Sequence, residues 1–582
     1  MKLGQIDFPP ELIGAIRDGE LVVFAGAGVS KGDPACLPLF KELACKIAEG
    51  SGETREPSEA IDQFLGRLVS GNGINVHEIA ARVLTETNPE PTELHRDLLR
   101  LFKGEAGAVQ LVTTNFDLLF EAAANELFGS DPTVFRASAL PRGDEFTGIV
   151  HVHGDVTVDT DMVLTDEDFG RAYLTGGWAR RFLVALFQNK PVLFVGYSHS
   201  DTIMEYLARA IPVSPDIPRR FILTHDQDGS KWSRLHIQPI LFPPLDFQAQ
   251  DEGVAKLAAT VNRGAADWRD MIRNTVMSQP AALSDEDADV LHFGLNDAGD
   301  SLSNVRVFTN YAQSFEWVTW LDQRGLLNHL FDEDEFDEKD SMYAGWIASN
   351  FARQDADSVF RLIGQKDLRL HSHFWSALAF QVGSSDQTSL IPESLGKWVS
   401  IFLSKAVGAT HDDFTSIFER CVELGRLEDA LDILEVVARP RVTRVTPSDD
   451  DLLRKTEVSI GSDEWHLAQM MSGLQPHLPE VAERLVGIAT RNLAVQHRQL
   501  ATWDLADRDF SQPSIHRATI EGEVETTKLS PEDVLIDMAR NSIVWLARNE
   551  PGQAEVWIER LSSSDIPLLR RLSRFAVAEL PE

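Results

Sequence analysis

The sequence predicts an α/β domain over residues 1–275, built on a parallel sheet with helices on both faces, followed by a mainly α-helical domain over residues 276–582. Three observations carry this prediction. Short apolar runs rich in β-branched residues alternate with longer helical patterns through residues 1–250, the pattern of βαβ units with a sheet buried on both faces. Each of these early runs leads into glycine or a polar cluster. Beyond residue 280 strand signals become rare and amphipathic helical patterns dominate.

In chain order, the strand candidates are residues 21–25, 109–113, 149–152, 192–195 and 221–223, with helical patterns at 59–69, 77–85, 92–102 and 178–187. Residues 239–245, with Pro243 and Pro244, read as a last connection or an edge strand; proline is confined to such positions because it cannot donate to a ladder. In the second half, the acidic stretches 284–300 and 331–340 are expected to be exposed connections or solvated faces. Residues 414–438 read as two helices broken at Gly425, and 440–465 and 504–530 as loops. No repeat period is evident, so an irregular helical domain is expected in place of a solenoid.

Composition excludes several classes of function. The 582 residues carry a formal net charge of −36 with a pI near 4.8, which argues against phosphate-backbone binding, since that needs clustered Lys and Arg. The three cysteines, Cys36, Cys45 and Cys421, form no CxxC pair, so neither a disulfide framework nor a cysteine-based zinc site is expected. No apolar run reaches membrane-spanning length, and a cytoplasmic location is expected.

Four motifs hold the candidate chemistry. Leu21 to Ala25 runs straight into Gly26, Ala27, Gly28 and, after Val29, Ser30. Glycines let the chain turn tightly and approach a ligand, and the following amides can bind phosphate; a glycine turn that binds nothing fits the same residues. The run ending at Thr113 continues into Thr114, Asn115, Phe116 and Asp117. Strand ends are where ligand groups sit in open α/β sheets, and a helix cap by Asn115 or Asp117 is the alternative. The third motif carries His151, His153 and Gly154. Strand alternation would place both histidines on one face, as a catalytic base, as satisfied buried side chains or, less readily, as a metal pair. The fourth runs from Val192 to Val195 into Gly196, Tyr197, Ser198, His199, Ser200 and Asp201; a Ser- or Asp-capped helix would explain it without a ligand.

Together, Gly-Ala-Gly-x-Ser, Thr-x-Asn-x-Asp, His-Gly and Gly-x-Ser resemble, in order and spacing, the sirtuin family over about residues 15–245. Residues 37–43 (Leu-Pro-Leu-Phe-Lys-Glu-Leu) and 163–169 (Val-Leu-Thr-Asp-Glu-Asp-Phe) look like the sirtuin-like domains of bacterial antiphage defence proteins. The resemblance implies a Rossmann-like sheet and NAD as substrate. Gly26, Ala27, Gly28 and Ser30 would hold the diphosphate and adjoining ribose, with Thr114 beside them. Phe40 would shield the nicotinamide ribose. Asn115 and Asp117 would bind the nicotinamide side and position the attacking group. His153 would be the general base, and Gly196, Ser198 and Asp201 would bind the adenosine side. The ribose–nicotinamide bond breaks with a neutral leaving group, so orientation and a base for the incoming oxygen matter more than a strong acid.

Two departures from protein-deacylating sirtuins bear on the acceptor. Residues 154–195, where deacylases carry a four-cysteine zinc module, contain no cysteine, and Leu39-Phe40-Lys41 stands where deacylases place Asp-Phe-Arg. The expectation is therefore an NAD⁺ hydrolase with no metal site, serving as a defence effector that depletes NAD⁺ on infection. A deacylase or ADP-ribosyltransferase, or a non-catalytic scaffold sensing NAD or ADP-ribose, are the alternatives. The resemblance further implies a homo-oligomer, with a HerA-type ATPase or another defence protein as partner, or a phage protein as trigger. Direct nucleic-acid and membrane contacts are not expected.

Overall fold

The computed structural model describes residues 1–102, 108–197, 219–226, 232, 234–332, 335–384, 392–404, 411–445, 455–503, 520 and 530–580. The chain divides into two compact units, Met1–Asn304 and Val305–Glu582.

The first unit is organised by a sheet of seven strands, all paired in parallel: β1 (Val22–Ala25), β2 (Gln110–Thr113), β3 (Val134–Arg136), β4 (Gly148–His151), β5 (Val192–Val195), β6 (Arg220–Thr224) and β7 (Gln238–Leu241). Their spatial order is 3-4-2-1-5-6-7. Val22, Phe24, Val112, Val150, Val192 and Phe194 face one core with Phe182, Leu183, Leu186 and Phe187 of the helix Trp178–Asn189. The alternating residues Val23, Leu111, Ile149 and Leu193 are fully buried as well, so helices cover both faces and each strand reads as an unbroken apolar run. The sequence reading missed β3, which is half-buried throughout and sits at the sheet edge, where burial imposes little apolar pattern.

Register matters for the site. Ala25 lies opposite both Thr113 and Val195, and Thr113 lies opposite His151, so the loops leaving β1, β2, β4 and β5 emerge at one level. Between β1 and β2 the helices Phe40–Ala48, Ile61–Asn72 and Val76–Thr85 form a separate apolar layer, with Leu43, Phe64, Leu68 and Ala80 packed on Phe116, Leu119 and Leu164.

The expected boundary at residue 275 falls inside the first unit. The helix Asp285–Asn296 belongs to it because Phe293 packs on Trp268 at 5.9 Å and Lys2 pairs with Asp285 at 2.9 Å. Of the two readings of 284–300, the connection is corrected to a helix, and its acidic first turn is a solvated face. Ser284 caps the helix, the acidic residues 285–287 fill its first turn, and Val290, Leu291 and Phe293 are buried behind them; acid at a helix N-terminus complements the macrodipole.

The second unit is mostly helical. Helices His411–Glu423 and Leu427–Val437 flank Gly425, whose φ of +69° closes the first of them. The expected loop at 440–465 instead contains an antiparallel pair, Pro440–Val445 with Lys455–Ile460. In the acidic stretch 331–340, Asp337 caps the helix Glu338–Phe351. The expected loop at 504–530 lies outside the described residues except for Ile520 and Ser530. Among the described residues no helix is long and apolar enough to cross a membrane.

Candidate functional site

The strand order reverses direction at β1, and at such a switch point the loops leaving the carboxyl ends part to leave a crevice. A cavity of about 520 Å³ occupies this place. Gly26, Ala27, Ser30, Phe40, Thr114, Asn115, Asp117, His153 and Gly196 all line it. Residues separated by more than a hundred positions in the chain thus share one wall. Ser198 and Asp201 lie outside the described residues.

The glycines of the first loop have a definite steric task. A Cβ on Gly26 would stand 2.7 Å from the Gly196 carbonyl oxygen, and one on Gly28 would stand 2.8 Å from Gly196 Cα. Gly28 N donates to Gly196 O at 2.9 Å, while Gly196 itself has a φ of +66°. The glycines are therefore required by the interlock of the loops after β1 and β5. Gly28 faces that loop and is absent from the cavity wall.

Asn115 is the most constrained residue of the site. Its backbone N–H donates to Thr113 Oγ1 at 3.0 Å, and its Nδ2 donates to Gly26 O at 3.3 Å and Ser30 Oγ at 3.2 Å. Its carbonyl oxygen meets His151 Nδ1 at 3.0 Å. Among the described residues only Oδ1, buried, finds no partner. A buried acceptor left unpaired costs free energy.

Ser30 is the hub behind Asn115. Its hydroxyl donates to Asp117 Oδ2 at 3.0 Å and lies 3.3 Å from His95 Nε2. Thr92 N donates to His95 Nδ1 at 3.2 Å, so the ring proton resides on Nε2 and points at Ser30. Burial, with Arg96 nearby, pushes the His95 pKa down to about 3, and the ring is neutral. Burial raises the Asp117 pKa, opposed by bonds from Leu119 N and Ser30. Asp117 Oδ1 accepts from Leu119 N at 3.2 Å, so Asp117 serves the first turn of the helix Leu119–Phe128 and lines the cavity together.

The two histidines of the third motif part company. The strand ends at His151, and His153 lies in the turn beyond it, where Gly154 has a φ of +77°. The period-2 expectation that both share a face therefore does not reach His153. His151, fully buried, bonds Asn115 O and Glu121 Oε1, the latter at 2.7 Å. His153 lines the cavity, with Nε2 2.9 Å from Tyr173 Oη and its ring edge-on to Phe169 at 5.4 Å.

Tyr173, His95 and Glu121 were not among the residues read from the sequence. Tyr173 reaches His153 from a π-helical turn, Arg171–Thr175, and such turns gather at functional sites without a sequence signature. Asp168 fastens this segment to the helix Val76–Thr85 through His77. Burial would raise its pKa, but bonds from His77, Thr165 and Arg171 hold it well below the usual carboxylate range. Of the other lining residues, Lys41 and Arg55 bring positive charge and Asp62 negative charge.

Strand order, switch-point cavity and polar loops together define a Rossmann-like domain with a ligand crevice at the carboxyl ends of its strands. Residues 109–240 match the SIR2-like domain family, a match compatible with the use of NAD. The chain is also 28% identical over 488 residues to the uncharacterized protein y4cA of Sinorhizobium fredii (strain NBRC 101917 / NGR234). That alignment covers 76% of this chain and 38% of the relative, so the chain spans well under half the relative's length.

Proposed function

We infer that the first unit cleaves NAD⁺ at the ribose–nicotinamide bond, with water as acceptor. The observation that carries this reading is that Asn115, Asp117 and His153 line one cavity together with Gly26, Ala27 and Ser30 of the glycine loop. Polar groups fixed in place can orient a carboxamide or a ribose hydroxyl without reorganising, which is how position contributes to rate. His153, buried and held by Tyr173, is the base for the incoming oxygen. Lys41 and Arg55 at the wall suit a diphosphate.

Support for water over a protein acceptor comes from the stretch between His153 and Gly196. It has no cysteine, and its helix Trp178–Asn189 packs into the sheet core through Phe182 and Leu186. A role as a defence effector, a homo-oligomeric state, and gating by a phage protein or a HerA-type ATPase belong to the same reading and rest on the resemblance alone.

Nicotinamide and ADP-ribose released from NAD⁺ by the full chain, alone and with a candidate trigger, test this directly. Asn115→Ala and His153→Ala should each lower the rate by about 10²-fold or more. An unchanged rate in either variant would remove that residue from the site. Label from NAD⁺ left on protein, instead of free ADP-ribose, would replace hydrolysis with transfer.

A further inference from the structure

His151 is fully buried, yet both its ring nitrogens meet acceptors. Nδ1 lies 3.0 Å from the Asn115 carbonyl oxygen, which can only accept, so Nδ1 carries a proton. Nε2 lies 2.7 Å from Glu121 Oε1, and at that distance a proton must stand between them. The pair therefore holds two protons, and since imidazole is the stronger base of the two it is an imidazolium beside a carboxylate. Glu121 comes from the helix Leu119–Phe128 and His151 from β4, while Asn115 belongs to the loop between β2 and that helix.

We propose that His151 is a positioning residue: with its second proton shared with Glu121, it clamps the Asn115 backbone and so aims the Asn115 side chain into the cavity. This rests on the reading of the cavity as an NAD⁺ site. Loss of one proton breaks the clamp. The remaining ring proton then sits on Nε2, because the carboxylate is the stronger acceptor, and the bare Nδ1 lone pair faces a carbonyl oxygen. Other charged groups around the ring agree with a retained proton. Asp155 approaches from the turn after β4 and is itself paired with Arg136 of β3, and Asp117 lies across the loop. Burial disfavours the cation, but the bond and charge of Glu121 outweigh it and raise the His151 pKa. Glu121, His151 and Asp155 lie within 4.8 Å of one another, the spacing of a cation site. With both ring nitrogens donating, however, His151 offers no lone pair to an ion.

Glu121→Gln tests the clamp sharply. A glutamine can turn its amide to donate to Nε2, which leaves a neutral ring with its proton on Nδ1, still bonded to Asn115. The wild-type NAD⁺ cleavage rate should fall about tenfold or more on the alkaline side as the second proton leaves. In Glu121→Gln the rate near pH 7 should stay within about threefold of wild type and that alkaline fall should vanish. His151→Leu, which cannot hold Asn115 at any pH, should lose about tenfold in kcat with KM little changed. Nitrogen-15 spectra of the histidine-labelled full chain, with His151→Leu marking its resonances, read the protons without turnover. Both ring nitrogens should be protonated at pH 7 in wild type, and only Nδ1 in Glu121→Gln.

A wild-type rate without an alkaline fall, the same fall in both proteins, or a His151 ring with a single proton in wild type would each overturn the proposal. Absence of any NAD⁺ cleavage or binding would sink the NAD⁺ reading instead. The clamp would then stand or fall by the two protonation patterns.

Discussion

His95 shows what burial does to one residue behind the site. With no exposed surface and Nδ1 accepting from Thr92 N, its ring is neutral, and its pKa is pushed down to about 3 by desolvation and by Arg96. Unfolded, the same ring titrates near 6.5. The stability it contributes is therefore present above about pH 6.5 and lost as pH falls from there toward the folded value. We expect the melting temperature of the wild-type chain to drop more steeply between pH 6.5 and 4 than that of His95→Gln, whose amide supplies a donor to Ser30 without titrating. Equal slopes would show that His95 does not titrate on unfolding. Ser30, which the resemblance places beside the diphosphate and adjoining ribose, lines the cavity, and its hydroxyl also meets Asp117, His95 and Asn115, so its side chain holds Asn115 and Asp117 in place.

At the scale of elements, the interlock of two loops decides where the cavity lies. The loop after β1 and the loop after β5 approach so closely that a Cβ on Gly196 would stand 2.6 Å from Val29 N, at a residue whose φ is already +66°. Gly196→Ala should therefore cost about 1–3 kcal/mol, from left-handed backbone strain and the forced separation of the loops. A urea melt measures this, and a variant as stable as wild type would show that the loops do not interlock. Gly66, in the helix Ile61–Asn72, stands under a similar limit, since its Cβ would stand 2.1 Å from Asp166 Oδ1. That contact is with one side chain, which can turn away, so Gly66→Ala should cost less than Gly196→Ala.

At the scale of the molecule, the unit boundary has a direct consequence. Leu291, Phe293 and Leu295 of the helix Asp285–Asn296 are buried in the first unit, and a Cβ on Gly294 would stand 2.7 Å from the Trp268 ring. A fragment ending at residue 275 loses that helix, and burial of three such side chains is worth on the order of 5 kcal/mol. We expect fragment 1–304 to melt cooperatively at a clearly higher temperature than fragment 1–275. Matching melting temperatures would place the unit's end where the sequence alone suggested it. The sequence lost this helix for a physical reason: its acidic first turn, Asp285 to Asp287, dominates the local composition, while the apolar face behind it spans less than three turns.

The sequence by itself determined the parallel sheet, the order of its loops and the polar residues that end its strands. Doubly covered strands must be continuous apolar runs, and a chain leaving them at the ligand edge must turn on glycine or polar groups. It determined β1, β2, β4, β5 and β6 to within a residue or two, and nine of the residues that line the cavity. Only the tertiary structure decided what each of these does. That Gly28 serves a neighbouring loop, that His151 turns to Glu121 and Asn115 while His153 turns to Tyr173, and that Asn115 keeps one acceptor unpaired are facts of contact between distant segments. Local pattern records whether a side chain is buried; which partner meets it in the interior is set by the register of strands far apart in the chain.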